Sequence, residues 1–221
     1  MNFIAELELA YAENASAENA VAMAKYMKGH FTFYGLKTGT RRALLKTALV
    51  NHKAEVKEHA REIALQLYGK AEREFHYAAI EILLKELKKN FLKEDMLLIE
   101  KLVVTHSWWD SVDTIAKYLV GGYLQHYPED TLKVIGKFSS SENMWLNRCA
   151  ILFQLGYKKE TNAVLLFSEC EKHRRSKEFF IQKAIGWALR EYAKTNPQAV
   201  KNFTAMANLK PLSTREALKN I

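Results

Sequence analysis

The sequence is short of the residues that interrupt helices, cross-link domains or line membranes. Its 221 residues include only three prolines and nine glycines, and no segment shows the alternation that marks a half-buried strand. Two cysteines, Cys149 and Cys170, are too few for a disulfide framework and favour a reducing compartment. No uncharged apolar run approaches the roughly 20 residues that span a bilayer, and no basic leader opens the chain. These absences predict a soluble, cytoplasmic protein without a membrane partner.

Apolar residues recur every three or four positions along most of the chain, which predicts helices. The clearest segments are AENAVAMAKYM, RRALLKTALV, EFHYAAIEILLKEL, DMLLIEKLVV, MWLNRCAILFQL, NAVLLFSEC and FFIQKAIGWALREY. Ser16, Thr40 and Pro197 stand where helices are expected to begin. The connections are short, so we predict about a dozen helices in a single all-α domain over residues 1–221. Helices of this length favour stacked hairpins, but periodicity alone leaves a compact orthogonal bundle open.

The charge of the chain is unevenly distributed. The formal net charge is +8 with a pI near 9.3, and residues 111–221 carry +7 of it against +1 in residues 1–110. Such asymmetry favours a surface for a polyanion in the C-terminal half, nucleic acid above all. Many proteins are mildly basic without a nucleic-acid partner, so composition alone makes this only the favoured interpretation.

Two tryptophans and two aspartates crowd the segment THSWWDSVD, residues 105–113. Trp109 and Asp113 are four residues apart, which places them on one face of a helix. One interpretation makes Asp110 the N-cap and Asp113 the third helical residue, a capping pattern without chemistry. In the other, Ser107 is the N-cap and Asp110 completes the capping box, which leaves Asp113 with no capping role. The sequence leaves both open.

Arg148 is an arginine in an apolar helical setting. Its helical neighbours are Met144, Ile151 and Leu152. A solvated arginine usually has polar companions, so this pattern predicts a guanidinium that points into a cleft. The alternative is a structural arginine paired with a carboxylate in the core.

A second cationic face surrounds Trp187. Lys183, Arg190 and Lys194 lie four, three and seven residues from it, on the same side of a helix. An aromatic ring among cations is typical of a surface that follows phosphates and stacks on sugars or bases. The same pattern also fits a tryptophan at the edge of a core beside a solvated charged stripe.

The sequence lacks the motifs of metal and nucleotide chemistry. Its seven histidines are scattered, without HExxH or a cysteine–histidine ligand spacing, so we expect no metal and no cofactor. Neither GxxxxGK[ST] nor GxGxxG occurs. Gly121 and Gly122 are expected to allow close packing of helices.

Several segments together resemble the AlkD-type DNA alkylation-repair glycosylases. They are YMKGHF, GLKTGTRR, EREFHY, SWWDSVD, NRCAILFQL and AIGWALREYAKT, and the resemblance extends from about Tyr26 to the PLSTREALKNI tail. It implies a curved solenoid of degenerate HEAT-like antiparallel helix pairs with DNA in a concave basic groove. One departure lies in the loop from Lys37 to Thr40, where the family has proline in place of Gly39 and commonly glutamine in place of Lys37.

The resemblance also implies roles for single residues. Asp113 matches the catalytic carboxylate, Trp109 and Trp187 match the aromatic pair beside the deoxyribose of the lesion, and Arg148 matches an arginine that anchors the DNA backbone. Tyr26 falls in the lesion-facing context and Lys37 in a loop that contacts DNA. With the cationic face of Lys183, Arg190 and Lys194, these are the candidate site residues.

The implied reaction is monofunctional excision of N3- and N7-alkylated purines from double-stranded DNA, which leaves an abasic site for base excision repair. Such a purine is positively charged and leaves as a neutral base, so the usual second carboxylate that acts as an acid is unnecessary. An ionised Asp113 would stabilise the oxocarbenium-like sugar. We expect a monomer. The alternative is a non-catalytic helical-repeat module that binds DNA or a protein partner.

Overall fold

The computed structural model describes residues 2–219, and its regular structure there is helical. The α-helices are α1 (Phe3–Glu13), α2 (Ala17–Tyr26), α3 (Thr38–Asn51), α4 (Lys53–Tyr68), α5 (Arg73–Glu86), α6 (Asp95–Val104), α7 (Trp109–Thr114), α8 (Gly121–His126), α9 (Thr131–Ser139), α10 (Met144–Leu152), α11 (Ala163–Lys172), α12 (Phe179–Ala193), α13 (Pro197–Met206) and α14 (Pro211–Ala217). A π-helical segment, Ile115–Val120, joins α7 to α8, and 3-10 turns lie at Pro128–Asp130 and Lys158–Glu160. The all-α prediction is confirmed. Across residues 2–219, no helix is both long and apolar enough to cross a membrane.

Two of the three predicted helix starts are confirmed. The hydroxyl of Ser16 accepts a hydrogen bond from the Asn19 amide at 3.4 Å, and Pro197 occupies the first turn of α13. The prediction for Thr40 is wrong. Helix α3 already begins at Thr38, because the carbonyl of Lys37 accepts the first helical hydrogen bond from Arg41 at 2.9 Å.

The chain folds into two compact units that divide between Asn90 and Phe91. The first unit contains α1 to α5 and has its own apolar core, in which Phe3, Leu7 and Phe75 are buried. The second contains α6 to α14 around buried side chains that include Ile99 and Leu102. The single domain over residues 1–221 stays a prediction.

A buried carboxylate fixes the loop before α3 in the first unit. Glu74 on α5 accepts hydrogen bonds from the backbone amides of Tyr34, Gly35 and Leu36 at 2.9 to 3.2 Å. Gly35 has a φ of +87°, and a Cβ there would lie 2.1 Å from the Ser16 carbonyl oxygen. The position therefore requires glycine for both reasons. This anchoring leads the chain directly to Lys37, the N-cap of α3.

Helix α10 lies at the centre of the second unit, where it packs on α6, α7, α9, α11 and α12. The glycine pair predicted to allow close packing does so. A Cβ on Gly121 would lie 2.4 Å from the Phe153 carbonyl oxygen, and one on Gly122 would lie 3.1 Å from the Phe91 ring. Cys149 and Cys170 are both free and buried. Because α10 contacts both α7 and α12, it brings the WWD segment close to the Trp187 helix.

Candidate active site

The second unit contains a cleft of about 280 Å³ that gathers most of the predicted site residues. Helix α7 contributes Trp109 and Asp113, α10 contributes Arg148, and α12 contributes Lys183, Trp187 and Arg190. These positions span 82 residues of sequence. The packing of α10 on both α7 and α12 therefore brings them together.

Neither capping interpretation of the WWD segment describes the structure. The N-cap of α7 is Trp108, whose backbone is extended, with φ −157° and ψ 159°. The Ser107 hydroxyl instead donates a hydrogen bond to the Val103 carbonyl at 2.6 Å, at the end of α6. Asp110 lies in the first turn, where its charge suits the helix dipole. Asp113 lies beyond that turn, so capping does not account for its presence.

The two adjacent tryptophans have different surroundings. Trp108 packs against Trp145 and Phe180, with ring centroids 5.8 and 5.2 Å away. Trp109, the first residue of α7, is half-buried and lines the cleft, as does Trp187 on α12. One of the two neighbouring indoles thus packs on an aromatic cluster, and the other lines the cleft.

Asp113 and Arg148 form a bidentate ion pair at the cleft. The Nε and one terminal nitrogen of Arg148 donate to the two carboxylate oxygens at 2.7 and 2.9 Å, and the other terminal nitrogen donates to the Phe180 carbonyl. The side chains of Arg148 and Asp113 are 5% and 15% exposed. Arg148 is thus both directed at a cleft and paired with a carboxylate, the two possibilities that the sequence left open. Burial raises the pKa of Asp113, while the Arg148 guanidinium opposes that rise.

Glu216 is a cleft residue that sequence reasoning missed. Its carboxylate accepts hydrogen bonds from Lys183 Nζ and from an Arg190 terminal nitrogen, both at 2.8 Å. The hydrogen bonds from Lys183 and Arg190 lower the pKa of Glu216 to about 2. One signal was available, because Glu216 is the single carboxylate in residues 192–221, a segment otherwise rich in cations. Which cations it pairs with depends on how α14 packs on α12, and the sequence does not show this.

Two aromatic residues at the start of α12 also belong to the cleft, although the sequence did not indicate them as site residues. Phe179 and Phe180 line the cleft, and Phe179 is 56% exposed. Phe180 packs against Trp108 and Trp145 and also supplies the carbonyl that holds Arg148. An exposed phenylalanine at the mouth of a charged cleft extends its apolar wall.

Three predicted DNA-contacting residues are not among those that line the cleft. Lys194 is the C-cap of α12, is 68% exposed and pairs with Glu191 at 2.6 Å. Tyr26 ends α2 and Lys37 precedes α3, both exposed and both in the first unit. Next to Lys37, a Cβ on Gly39 would meet nothing within 4 Å, so packing does not require glycine there. Their contacts with DNA stay predictions.

The cleft contains no arrangement of metal ligands. Within the part of the chain that the structure describes, no three side chains of His, Cys, Asp or Glu are grouped to hold a metal ion. The charged groups that line the cleft are Asp113, Arg148, Lys183, Arg190 and Glu216. The aromatic residues that line it are Trp109, Phe179, Phe180 and Trp187.

Comparison with known proteins identifies the class of protein to which this fold and cleft belong. A family model described as DNA alkylation repair enzyme matches residues 7–221. A solved structure described as a predicted DNA alkylation repair enzyme from Enterococcus faecalis is similar, with a TM-score of 0.86 and 36% identity over 94% of this chain and 96% of that one. The chain belongs to the DNA alkylation repair enzyme family.

A more distant structure shares the fold. The smu.31 protein of Streptococcus mutans UA159 is 20% identical, with a TM-score of 0.60 over 80% of this chain and 90% of that one. A comparison with curated proteins gave no match. The family assignment confirms the resemblance seen in the sequence, and it supports a role in repair of alkylated DNA.

Proposed function

We propose that the protein is a monofunctional DNA glycosylase that hydrolyses the N-glycosidic bond of N3- and N7-alkylated purines in duplex DNA. The observation that carries this proposal is the grouping of Trp109, Asp113 and Trp187 around one cleft of the second unit. A carboxylate and two indoles that line the same cleft suit a reaction in which positive charge develops on a sugar.

Asp113 supplies the fixed negative charge in this mechanism. The bidentate pair with Arg148 holds the carboxylate in one orientation and favours its ionised form against the effect of burial. A charge that is already oriented needs no reorganisation as the glycosidic bond breaks. Arg148 therefore acts on the reaction through Asp113. To anchor a phosphate of the DNA backbone as well, Arg148 would bind the phosphate either beside Asp113 or in its place.

The alkylated base brings its own positive charge, so the cleft need not protonate it. The cleft lining includes no histidine, cysteine or tyrosine among the described residues. Lys183 and Arg190 are paired with Glu216, and these cations suit a neighbouring phosphate better than a cationic base. The proposed substrate is thus a lesion that leaves as a neutral base, taken from DNA by a cytoplasmic monomer.

One observation favours a second candidate, a non-catalytic helical-repeat module. All five charged side chains in the cleft lining are paired with one another, Asp113 with Arg148 and Glu216 with Lys183 and Arg190. Such pairing also fits a purely structural network beneath a DNA- or protein-binding surface. The two candidates differ in whether loss of the Asp113 charge changes a chemical rate.

The test is release of free 7-methylguanine from a duplex that carries one N7-methylguanine, followed by chromatography under single-turnover conditions. We expect Asp113→Asn to lower the rate by roughly 100-fold or more, the typical effect of removing a preorganised charge. DNA affinity should stay the same or rise, because a negative charge near phosphates is removed. Asp110→Asn is the matched control, since Asp110 lies on the same helix but does not line the cleft.

The outcomes separate the two candidates. A wild-type rate for Asp113→Asn would reject the catalytic assignment. Binding to the duplex without base release by the wild-type protein would favour the non-catalytic module. Equal losses in the Asp110 and Asp113 variants would indicate damage to α7 rather than lost chemistry.

A further inference from the structure

Glu216 stands out because it is an anion at the centre of a cationic face. Its helix, α14, packs against α12, and its carboxylate lies between Lys183 and Arg190. Each carboxylate oxygen accepts from one cation, Oε1 from Lys183 and Oε2 from Arg190, both at 2.8 Å. The backbone carbonyl of Glu216 accepts a further bond from Arg190 at 3.1 Å. The side chain is 16% exposed, so it is held inside the seam between the helices.

The two cations would not come together without this carboxylate. Lys183 and Arg190 are seven residues apart on α12, so their Cα atoms are separated by about 10 Å along the helix axis. Both side chains are long and flexible, and two like charges repel each other. One carboxylate that accepts from both draws their nitrogens to its two oxygens.

The seam between α12 and α14 fixes Glu216 itself. A Cβ on Gly186, between the two cations in sequence, would lie 2.4 Å from the Glu216 Cβ and 2.9 Å from the Ser213 carbonyl oxygen. The Ser213 hydroxyl also donates to the Gln182 carbonyl at 3.0 Å. The glycine allows α14 to approach closely enough for the carboxylate to reach both partners. Its pKa of about 2 keeps Glu216 ionised at every pH at which the protein would work.

We propose that Glu216 is a positioning residue that holds Lys183 and Arg190 as a preformed two-point site for one DNA phosphate beside the lesion. This inference rests on the proposed function and assigns part of its substrate contact. A phosphate presents two oxygens that accept from both cations, as the carboxylate does. Glu216 also offsets one of the two charges, which limits attraction to undamaged DNA. Binding strength and excision rate should therefore respond to its loss in opposite directions.

The test compares Glu216→Gln with Glu100→Gln as the matched control. Glu100 is a carboxylate on α6 that pairs with Lys137 on α9 at 2.5 Å, and neither residue lines the cleft or is a predicted DNA contact. For Glu216→Gln we expect binding to undamaged duplex to strengthen at low salt, with a slope of log K against log salt steeper by about one unit. We expect excision of N7-methylguanine to slow by roughly 10- to 100-fold, because the cations are no longer held in place. The control should match the wild type in both measurements.

The Glu216→Asp variant separates the effect of the charge from the effect of the position of the carboxylate. It also provides a test if Glu216→Gln does not fold. It keeps the charge but withdraws the carboxylate by one methylene, so we expect a wild-type salt slope with slowed excision. Wild-type excision in either variant would overturn the proposal. A parallel loss of DNA affinity, excision rate and thermal stability would also overturn it, and so would failure of both variants to fold. Either result would mean that Glu216 only stabilises the packing of α14.

The salt slope on undamaged DNA does not depend on catalysis. If the wild-type protein released no base, the proposed function would fail, and the Glu216→Gln slope would still show whether this carboxylate offsets the charge of the two cations where DNA binds. If the wild-type protein released base normally and the slope of Glu216→Gln equalled that of Glu100→Gln, only the proposed role of Glu216 would be rejected.

Discussion

At the scale of single residues, the pairing of Asp113 with Arg148 has the clearest consequence for activity. The sequence offered capping for Asp113 and core pairing for Arg148 as structural explanations. The structure excludes the first, because α7 begins at Trp109 and Asp113 lies beyond its first turn. It places the two side chains in one bidentate pair at the cleft. Protonation of this one carboxylate should therefore control the proposed reaction.

We predict that base release declines in acid with the titration of Asp113. The ionised carboxylate is the active form, so the rate is full above its pKa and falls as the pH drops through it. Burial raises the pKa of Asp113 above the usual 3.8 of an aspartate, so the rate should begin to decline at a higher pH than it would if this aspartate were exposed. Single-turnover release of 7-methylguanine, corrected for spontaneous depurination, measures it.

Two variants check the assignment of this acid limb. Arg148→Ala removes the cation that opposes the effect of burial, so the decline should move to still higher pH and the protein should lose stability. Asp113→Asn should show a low rate without the decline. An acid limb that persists in Asp113→Asn would assign the titration to another group.

At the scale of elements, the close approach of α12 and α14 depends on one glycine. A Cβ on Gly186 would lie 2.4 Å from the Glu216 Cβ and 2.9 Å from a backbone oxygen, so one of the helices must shift to admit it. We predict that Gly186→Ala destabilises the protein by roughly 1–3 kcal/mol, the usual cost of overpacking. It should also slow base release, because Glu216 moves with α14.

Gly136 provides the matched control. It lies inside α9, and a Cβ added there would meet nothing within 4 Å, so Gly136→Ala should stabilise the protein by roughly 0.5–1 kcal/mol through helix propensity. Thermal unfolding followed by circular dichroism measures both variants. A Gly186→Ala protein as stable as Gly136→Ala would show that the seam can open without cost.

At the scale of the whole molecule, the net charge does not locate the site. Residues 111–221 carry +7, yet the charged groups that line the cleft are three cations and two anions, a net of +1. The rest of the positive charge lies elsewhere in that half, on residues such as the exposed Lys194. The excess suits attraction to DNA in general, and the paired charges of the cleft suit recognition of one lesion.

We predict that the protein releases N3- and N7-alkylpurines but not uracil or hypoxanthine, because neutral lesions need an acid that the described cleft lacks. His106 lies only three residues before Trp109 in the sequence, but it is exposed and does not line the cleft. Oligonucleotides that carry each lesion, analysed for free base, measure this selectivity. Efficient release of uracil would reveal a proton donor and overturn it.

The same assay reports on strand cleavage. Abasic DNA should accumulate uncut, although Lys183 lines the cleft, because its Nζ is held by the Glu216 carboxylate at 2.8 Å and would have to leave that pair to form a Schiff base. Borohydride trapping of a protein–DNA adduct would contradict the monofunctional assignment. The Lys183→Ala variant then decides whether this lysine is responsible.

The sequence by itself determined the helices and the types of residue at the site. Apolar spacing is local, so it predicted segments such as DMLLIEKLVV, which coincides with α6 (Asp95–Val104). The helix starts at Ser16 and Pro197 could be predicted because capping residues act within one helical turn. The start of α3 could not, because its N-cap, Lys37, makes no side-chain capping hydrogen bond. The segments around the WWD motif were specific enough to indicate the family.

Only the tertiary structure decided which charges meet. Asp113 pairs with Arg148 across 35 residues, and Glu216 reaches Lys183 across 33, because α7, α10, α12 and α14 pack together. Periodicity places a side chain on a face of its own helix but does not state which helix that face contacts. The choice of partner depends on close approaches such as the one at Gly186, where the absence of a single Cβ brings Glu216 to its two cations.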